Sequence, residues 1–294
     1  MFKGSFVALV TPMDGAGGID FDALQTLVAF HINSGTDGLV IGGTTGESAS
    51  LSTGEFSELI SVACSQVASK IPVVAGTGSA NTQKTIFMTN LAADLGADAA
   101  LVVTPYYVRP MQNGLLAHFT AVADCSNIPL LMYNVPARTS VDMLATTTAK
   151  LAEHEMIVGI KEALPDMQRI SSLIELCPPE FDVLSGDDPS CKDAMLAGAR
   201  GVISVAANVE PRRLKQLCQA ALEGNRSISD TLHKELSELF ALLGVESNPI
   251  PVKWAVAEMG LIKNGIRLPL LPLEQCHHNV LRECLNALQG NLKK

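Results

Sequence analysis

The sequence predicts an α/β protein, a (β/α)8 TIM barrel with a C-terminal three-helix appendage. Eight short apolar runs recur along the chain, and each is followed by a segment whose apolar residues have helical spacing. The runs are almost continuously apolar, which is typical of parallel strands covered on both faces. After Asn225 the strand-like runs stop and only helical periodicity remains.

The eight predicted strands are Phe6–Pro12, Gly38–Gly43, Val73–Gly78, Ala99–Pro105, Pro129–Pro136, Ile157–Ala163, Phe181–Asp187 and Gly201–Asn208. Helix boundaries fall between them. Ser52 and Glu55 form a capping box, Asn81 is placed to cap the helix after the third strand, and Gly96 is placed to end it. Eight such units are what a closed (β/α)8 barrel needs. An open doubly wound sheet is less favoured, because no G-x-G-x-x-G follows the first strand.

The chain is predicted to divide into a catalytic barrel, residues 1–224, and a helical appendage, residues 225–294. Helical periodicity in the appendage covers Ile228–Val245, Val252–Met259 and Leu273–Leu288. No Gly/Ser-rich linker separates the two parts, so no freely moving domain is expected.

Composition narrows the class of partners. The net charge of −9 argues against nucleic acid and anionic membranes, and no apolar run is long enough to span a bilayer. The N-terminus does not resemble a signal peptide, and the seven cysteines contain no C-x-x-C pair. A cytoplasmic protein with reduced cysteines is therefore expected. The six histidines are predicted to lie in helical segments away from the strand ends, so neither a metal nor a cofactor is expected.

Lys161 is the candidate nucleophile. It stands near the end of the sixth apolar run, where lysine is unusual because it is seldom buried unless paired. Burial favours the neutral amine, which can form a Schiff base with a ketone or aldehyde. A lysine that reaches solvent or pairs with Glu162 is the alternative. Lys253 is a rival amine, but it lies in the appendage and is interpreted as structural.

Other polar residues stand where the predicted strands end, the edge that carries chemistry in such barrels. The second strand ends in Gly-Gly-Thr44-Thr45, whose hydroxyls and N–H groups suit a small carboxylate, although an ordinary turn is the preferred interpretation of this segment alone. The only three tyrosines, Tyr106, Tyr107 and Tyr133, fall at the ends of the fourth and fifth strands. A phenol can relay protons when it is hydrogen-bonded to another hydroxyl.

Two further strand ends complete the candidate site. Arg138 lies just beyond the fifth strand, where its guanidinium is suited to hold a carboxylate bidentately. Gly186 follows the seventh strand and Ile203 lies on the eighth, and both can line a pocket with backbone.

With these residues identified, the chain resembles the dihydrodipicolinate synthase family, within the pyruvate-dependent class I aldolase superfamily that also contains N-acetylneuraminate lyase. The resemblance covers the whole chain. Its motifs are VALVTPMD, GTTGES, AGTG, VTPYY, YNVPART, GIKEA, LSGDD, GVISVAANV and NPIPVKWA. Within the superfamily, Arg138 is more specific to the synthase than the other motifs are.

The resemblance implies a reaction and a set of roles. Lys161 forms an imine with pyruvate, and the derived enamine adds to L-aspartate 4-semialdehyde. Tyr133 handles protons, with Thr45 and Tyr107 completing a hydroxyl relay. Thr44 and Thr45 hold the pyruvate carboxylate, Arg138 receives the second carboxylate and orients Tyr133, and Gly186 and Ile203 give main-chain contacts. The family also implies a homotetramer, a dimer of dimers, in which Tyr107 crosses the dimer interface.

The resemblance further implies a regulatory site for lysine. Its positions here are Ser48, Ala49, Thr53, Phe56, Ala80, Lys84 and Tyr106. In lysine-sensitive members the positions of Thr53, Phe56, Ala80 and Lys84 typically carry two histidines, an asparagine and a glutamate. Lys84 places a cation where the ammonium of the ligand expects an anion, so weak or absent inhibition by lysine is expected.

Two other functions stay open on the sequence. One is a sister aldolase for N-acetylneuraminate or a 2-keto-3-deoxy sugar acid, which loss of Arg138 would favour. The other is a catalytically inactive barrel with a binding role, which degraded Lys161, Tyr133 or Thr45 would favour. All four residues are intact.

Overall fold

The computed structural model of the protein describes residues 2–290. Its eight strands are β1 Gly4–Ala8, β2 Gly38–Ile41, β3 Val73–Gly76, β4 Ala99–Val103, β5 Leu130–Asn134, β6 Ile157–Glu162, β7 Asp182–Ser185 and β8 Gly201–Ser204. All are parallel to their neighbours and follow chain order around a closed barrel, with β8 paired to β1. The predicted barrel is confirmed.

The helices are α1 Phe21–Ser34, α2 Thr53–Val67, α3 Thr82–Asp94, α4 Gln112–Asp124, α5 Pro136–Thr139, α6 Ala145–Leu151, α7 Met167–Leu176, α8 Cys191–Leu196, α9 Pro211–Leu222, α10 Arg226–Leu242, α11 Ile250–Glu258 and α12 Gln275–Gly290. The predicted caps are present. Ser52 and Glu55 form a capping box at the start of α2, and Asn81 accepts a hydrogen bond from the Lys84 N–H at the start of α3.

All eight strands end earlier than the apolar pattern predicts. The first strand, for example, covers Gly4–Ala8 rather than Phe6–Pro12. Beyond Ala8 the chain stays buried, because the βα loops pack over the top of the barrel, and so apolar residues continue past the last ladder hydrogen bond. Thr44, Thr45, Tyr106, Tyr107, Arg138 and Gly186 therefore lie beyond the ends of the strands, whereas Tyr133, Lys161 and Ile203 lie on β5, β6 and β8.

The three C-terminal helices α10, α11 and α12 are the predicted appendage. Their apolar residues Leu236, Trp254 and Leu285 belong to the same buried cluster as Val7 of β1 and Leu24 of α1. The core is therefore continuous between the barrel and these helices. This continuity brings the loop before α11 against the strand ends.

A smaller apolar cluster, separate from that one, fills the barrel interior. It includes Phe6, Val40, Leu101, Leu184 and Ile203, each from a different strand.

Among residues 2–290 no helix is both long and apolar enough to cross a membrane. All seven cysteines lie in the described part of the chain, and each is a free thiol.

Candidate active site

Lys161 lies inside the barrel. It is in register with Tyr133 on β5 and with Leu184 on β7. Residues paired in adjacent parallel strands point to the same face of the sheet, and Tyr133 and Leu184 belong to the interior cluster. Only 6% of Lys161 is exposed, and its Nζ lies 4.4 Å from the centroid of the Tyr133 ring. The structure thus brings the candidate nucleophile and the candidate proton carrier together.

Gly186 confines the Lys161 side chain. It follows β7 directly, and its N–H donates a 2.7 Å hydrogen bond to the Glu162 carbonyl on β6. A Cβ added at this position would lie 2.9 Å from Cε and 3.0 Å from Cγ of Lys161. Real Cβ contacts are longer than this, so a side chain here would displace the lysine. Glycine therefore leaves the room that the extended amine occupies.

The loop after β2 carries the two predicted carboxylate-binding threonines. Thr45 is buried, and its hydroxyl accepts a 3.0 Å hydrogen bond from the Asn248 side-chain amide. Thr44 is half-buried and lines a cavity at the top of the barrel. Arg138 lies on the short helix α5, and its guanidinium donates to the Asn248 carbonyl at 3.2 Å. Asn248, which precedes α11, thus contacts two predicted site residues.

The cavity at the top of the barrel has a volume of about 560 Å³. Its lining includes Thr44, Arg138 and Asn248 but not Lys161 or Tyr133, which lie among the strands. Six of the seven residues predicted for the regulatory site also line it, namely Ser48, Ala49, Thr53, Phe56, Lys84 and Tyr106. Ala80 does not. The predicted substrate-binding and regulatory residues therefore adjoin one another.

Tyr107 lies outside the barrel interior. It is 91% exposed, and its φ of 70° is in the left-handed region that non-glycine residues seldom adopt. Val108 and Met111 in the same loop are also exposed, at 59% and 80%. Within one chain, Tyr107 is therefore not packed beside Tyr133.

The sequence profile of the dihydrodipicolinate synthetase family matches residues 1–288. The chain belongs to this family. A 4-hydroxy-tetrahydrodipicolinate synthase of Nitrosococcus oceani is 48% identical over 289 residues, which cover 98% of this chain and 99% of that protein.

Solved structures of the family share the fold. The chloride-inhibited dihydrodipicolinate synthase of Acinetobacter baumannii, complexed with pyruvate, has a TM-score of 0.96 and 45% identity and covers 97% of this chain and 98% of its own. A dihydrodipicolinate synthase variant described as the first monomeric one has a TM-score of 0.95 and 39% identity, covering 97% of this chain and 96% of its own.

The dihydrodipicolinate synthetase family motif GTTGES contains a residue that the sequence analysis did not single out. Glu47 is buried in the left-handed conformation, with φ of 56°, and forms an ion pair with Lys253 of α11. Only 2% of either side chain is exposed. Burial lowers the pKa of Lys253, and the neighbouring Glu47 carboxylate partly offsets this effect. Lys253 is thus paired with a buried carboxylate, as expected of a structural amine.

A buried polar network outside the barrel also escaped prediction. The Asn134 amide on β5 donates to Glu162 of β6 and to Asp142, and the Arg169 guanidinium donates to the same two carboxylates. The sequence offered only one hint, an acidic residue next to Lys161 in a run that is otherwise apolar.

One histidine lies outside a helix, contrary to prediction. His154 occupies the turn between α6 and β6, where it contacts Asp124, while the other five lie in helices. Within residues 2–290, no group of three or more His, Cys, Asp or Glu side chains is arranged to hold a metal ion.

Proposed function

We propose that this chain is a 4-hydroxy-tetrahydrodipicolinate synthase that condenses pyruvate with L-aspartate 4-semialdehyde through a Schiff base on Lys161. The observation that carries the proposal is a buried lysine inside the barrel with its Nζ 4.4 Å from the Tyr133 ring centroid. Relatives with that name match nearly the full chain at 48% identity. The pyruvate in the Acinetobacter baumannii structure identifies the expected donor substrate.

In the proposed reaction, Lys161 Nζ attacks the ketone carbon of pyruvate, and water leaves to give an imine. Loss of a methyl proton gives an enamine, whose carbon adds to the aldehyde carbon of the second substrate. The amino group of that substrate then attacks the imine carbon, closes the ring and releases Lys161. Tyr133 lies beside Nζ and is assigned the proton transfers, with Thr45 and Tyr107 completing the relay.

The remaining residues hold the two acids. Thr44 and Thr45 are assigned the pyruvate carboxylate, and Gly186 and Ile203 contribute main-chain contacts beside Lys161. Arg138 is assigned the second carboxylate because its guanidinium lines the cavity above the barrel. Asn248 contacts both Thr45 and Arg138 and would therefore fix the distance between the two carboxylate sites.

We further propose a cytoplasmic homotetramer, built as a dimer of dimers in which Tyr107 enters the neighbouring site. The exposed Tyr107, Val108 and Met111 support an interface at this loop. Seven free thiols fit a reducing compartment. One of the similar structures is of a monomeric variant. Analytical ultracentrifugation therefore tests the proposed tetramer.

Borohydride reduction in the presence of pyruvate tests the central step. We expect mass spectrometry to find a reduced pyruvate adduct on Lys161, and none in the Lys161→Ala variant. Addition of aspartate 4-semialdehyde to the unreduced enzyme should then consume both substrates. An adduct on Lys253, or no adduct, would overturn the proposal. An adduct without condensation would point to a sister aldolase with another acceptor.

A further inference from the structure

We propose that Asn134, Asp142, Glu162 and Arg169 form a clamp on the outer face of β5 and β6 that positions Tyr133 and Lys161 inside the barrel. The four are positioning residues, since they act through the backbone of the two strands. The inference rests on the proposed function, because it assigns the clamp a role in imine formation at Lys161.

The register of the two strands places the clamp directly behind the reacting pair. Tyr133 pairs with Lys161, and the next residues along the strands, Asn134 and Glu162, pair with each other. Successive strand residues point to opposite faces. The inner pair is therefore one residue away from an outer pair, and a shift of either strand moves both pairs together.

Glu162 is the centre of the clamp. Its side chain is fully buried and accepts hydrogen bonds from the Asn134 amide at 3.0 and 3.1 Å and from the Leu164 N–H at 2.9 Å. Its backbone carbonyl accepts from Gly186 at 2.7 Å, and Gly186 is the residue that confines the Lys161 side chain. Glu162 thus connects β6 to β5 and to the end of β7.

Arg169 of α7 holds the outer side of the clamp. Its guanidinium binds both carboxylate oxygens of Asp142, at 2.9 and 2.7 Å, and reaches Glu162 at 3.3 Å. It also donates to the Met143 carbonyl at 2.9 Å. Burial raises the pKa of Glu162, and the bonds from Asn134 and the charge of Arg169 act against that rise. One guanidinium therefore serves two carboxylates, and the three groups depend on one another.

A role in positioning differs from a role in stability alone. A misplacement of about 1 Å between reacting groups can cost on the order of 100-fold in rate. The Lys161 amine and the Tyr133 ring are held by neighbouring strands whose outer sides are joined by this clamp. Disturbing it should slow imine formation even where the protein stays folded.

Glu162→Gln tests the inference, because it keeps the side-chain volume but turns an NH2 donor toward the donors of Asn134 and Arg169. The readout is the rate of irreversible inactivation by pyruvate plus borohydride, which reports imine formation before any acceptor binds. We expect this rate to fall by roughly 10- to 100-fold. The kcat/KM for aspartate semialdehyde should stay near its original value, because this ratio does not depend on the rate of imine formation and Arg138, which is assigned the second carboxylate, lies outside the clamp.

Glu210→Gln is the matched control. Glu210 at the start of α9 is also buried and paired with an arginine, Arg213, at 3.2 Å, and burial likewise raises its pKa. The control should lose thermal stability while its imine forms at the wild-type rate. A Glu162→Gln variant that forms imine as fast as Glu210→Gln would overturn the inference.

Arg169→Lys and Arg169→Met keep the test decisive if Glu162→Gln does not fold. Lysine retains the charge but not the two-pronged contact with Asp142. We expect the inactivation rate to be highest in the wild type, lower in Arg169→Lys and lowest in Arg169→Met. Equal rates in the three proteins would overturn the inference. Wild-type protein that gives no adduct would instead refute the proposed function, so the two failures are distinguishable.

Discussion

At the scale of the residue, Gly186 determines how much room the Lys161 side chain has. The space that a methyl group would fill at this position is already occupied by the lysine stem and by the Cβ of Ala163, 2.9 Å away. The surrounding barrel is closely packed, so the amine has little freedom to move aside. Smallness at this position is therefore a condition for the proposed chemistry, not only for the turn after β7.

We expect Gly186→Ala to reduce the rate of imine formation at Lys161 by tenfold or more, because the methyl group displaces Cε. Overpacking should also lower the free energy of unfolding by about 1–3 kcal/mol. Borohydride trapping and urea unfolding measure the two effects. Gly15→Ala, where an added Cβ meets nothing within 4 Å, is the control. Trapping at the wild-type rate in Gly186→Ala would show that the lysine can rearrange.

Lys84 leads to a prediction about regulation. It lines the cavity together with Ser48 and Tyr106, at a position that the family resemblance associates with a carboxylate. A cation there repels the ammonium of lysine, at a cost of several kcal/mol when the charges are close. We expect initial rates to change little with added L-lysine, and we expect Lys84→Glu to increase inhibition. Strong inhibition of the unmodified protein would contradict the prediction.

At the scale of the element, α11 is joined to the loop after β2 by one buried ion pair. Lys253 reaches Glu47, and the other oxygen of Glu47 accepts a 3.1 Å hydrogen bond from the backbone N–H of Arg267. Asn248, just before α11, contacts Thr45 in the same loop. The C-terminal helices therefore help to shape the loop that is assigned the pyruvate carboxylate.

Lys253→Met should lower the free energy of unfolding by about 3–5 kcal/mol, because it leaves the Glu47 carboxylate buried without its counter-ion. The double variant Glu47→Gln/Lys253→Met should recover part of that loss, since no uncompensated charge remains. Urea denaturation measures both.

The control for this pair is Lys263→Met. Lys263 pairs with Asp20 at 2.9 Å but is 68% exposed, so its loss should change stability far less. Equal effects of Lys253→Met and Lys263→Met would show that the buried pair contributes no more than a surface pair does.

The success of prediction differed between elements for physical reasons. The barrel was predictable because strands covered on both faces consist almost entirely of apolar residues, as in Ile157–Ala163. The ends of the strands were not, because apolar residues continue into packed loops. Lys161 stood out as a charge in an apolar run. Nothing distinguishes Arg169 in its segment, and Asn248 opens the motif NPIPVKWA, which does not reveal its contacts. Their roles depend on contacts between residues distant in sequence, such as Asn248 with Thr45.

At the scale of the whole molecule, the exposed loop after β4 supports the proposal that a second copy of the chain completes the catalytic site. Tyr107, Val108 and Met111 are among the most exposed large apolar side chains of the described residues. A tyrosine that is 91% exposed cannot relay protons inside its own barrel without moving. Its assigned role is therefore compatible with this structure if a second copy receives it.

Complementation between two inactive variants shows whether Tyr107 acts in the neighbouring subunit or within its own chain. Lys161→Ala removes the nucleophile and Tyr107→Phe removes one hydroxyl of the relay, so each homo-oligomer should lose most of its activity. In a mixed dimer, the Tyr107→Phe chain keeps Lys161 and would receive an intact Tyr107 from its partner. Co-refolding equal amounts should therefore restore one working site per mixed dimer, and the mixture, in which about half of the dimers are mixed at random, should regain about a quarter of wild-type activity. If Tyr107 instead acts within its own chain, both sites of a mixed dimer stay defective and mixing restores nothing.

Mixing Lys161→Ala with Tyr133→Phe is the control, because Tyr133 and Lys161 share one barrel and no combination of these chains gives a complete site.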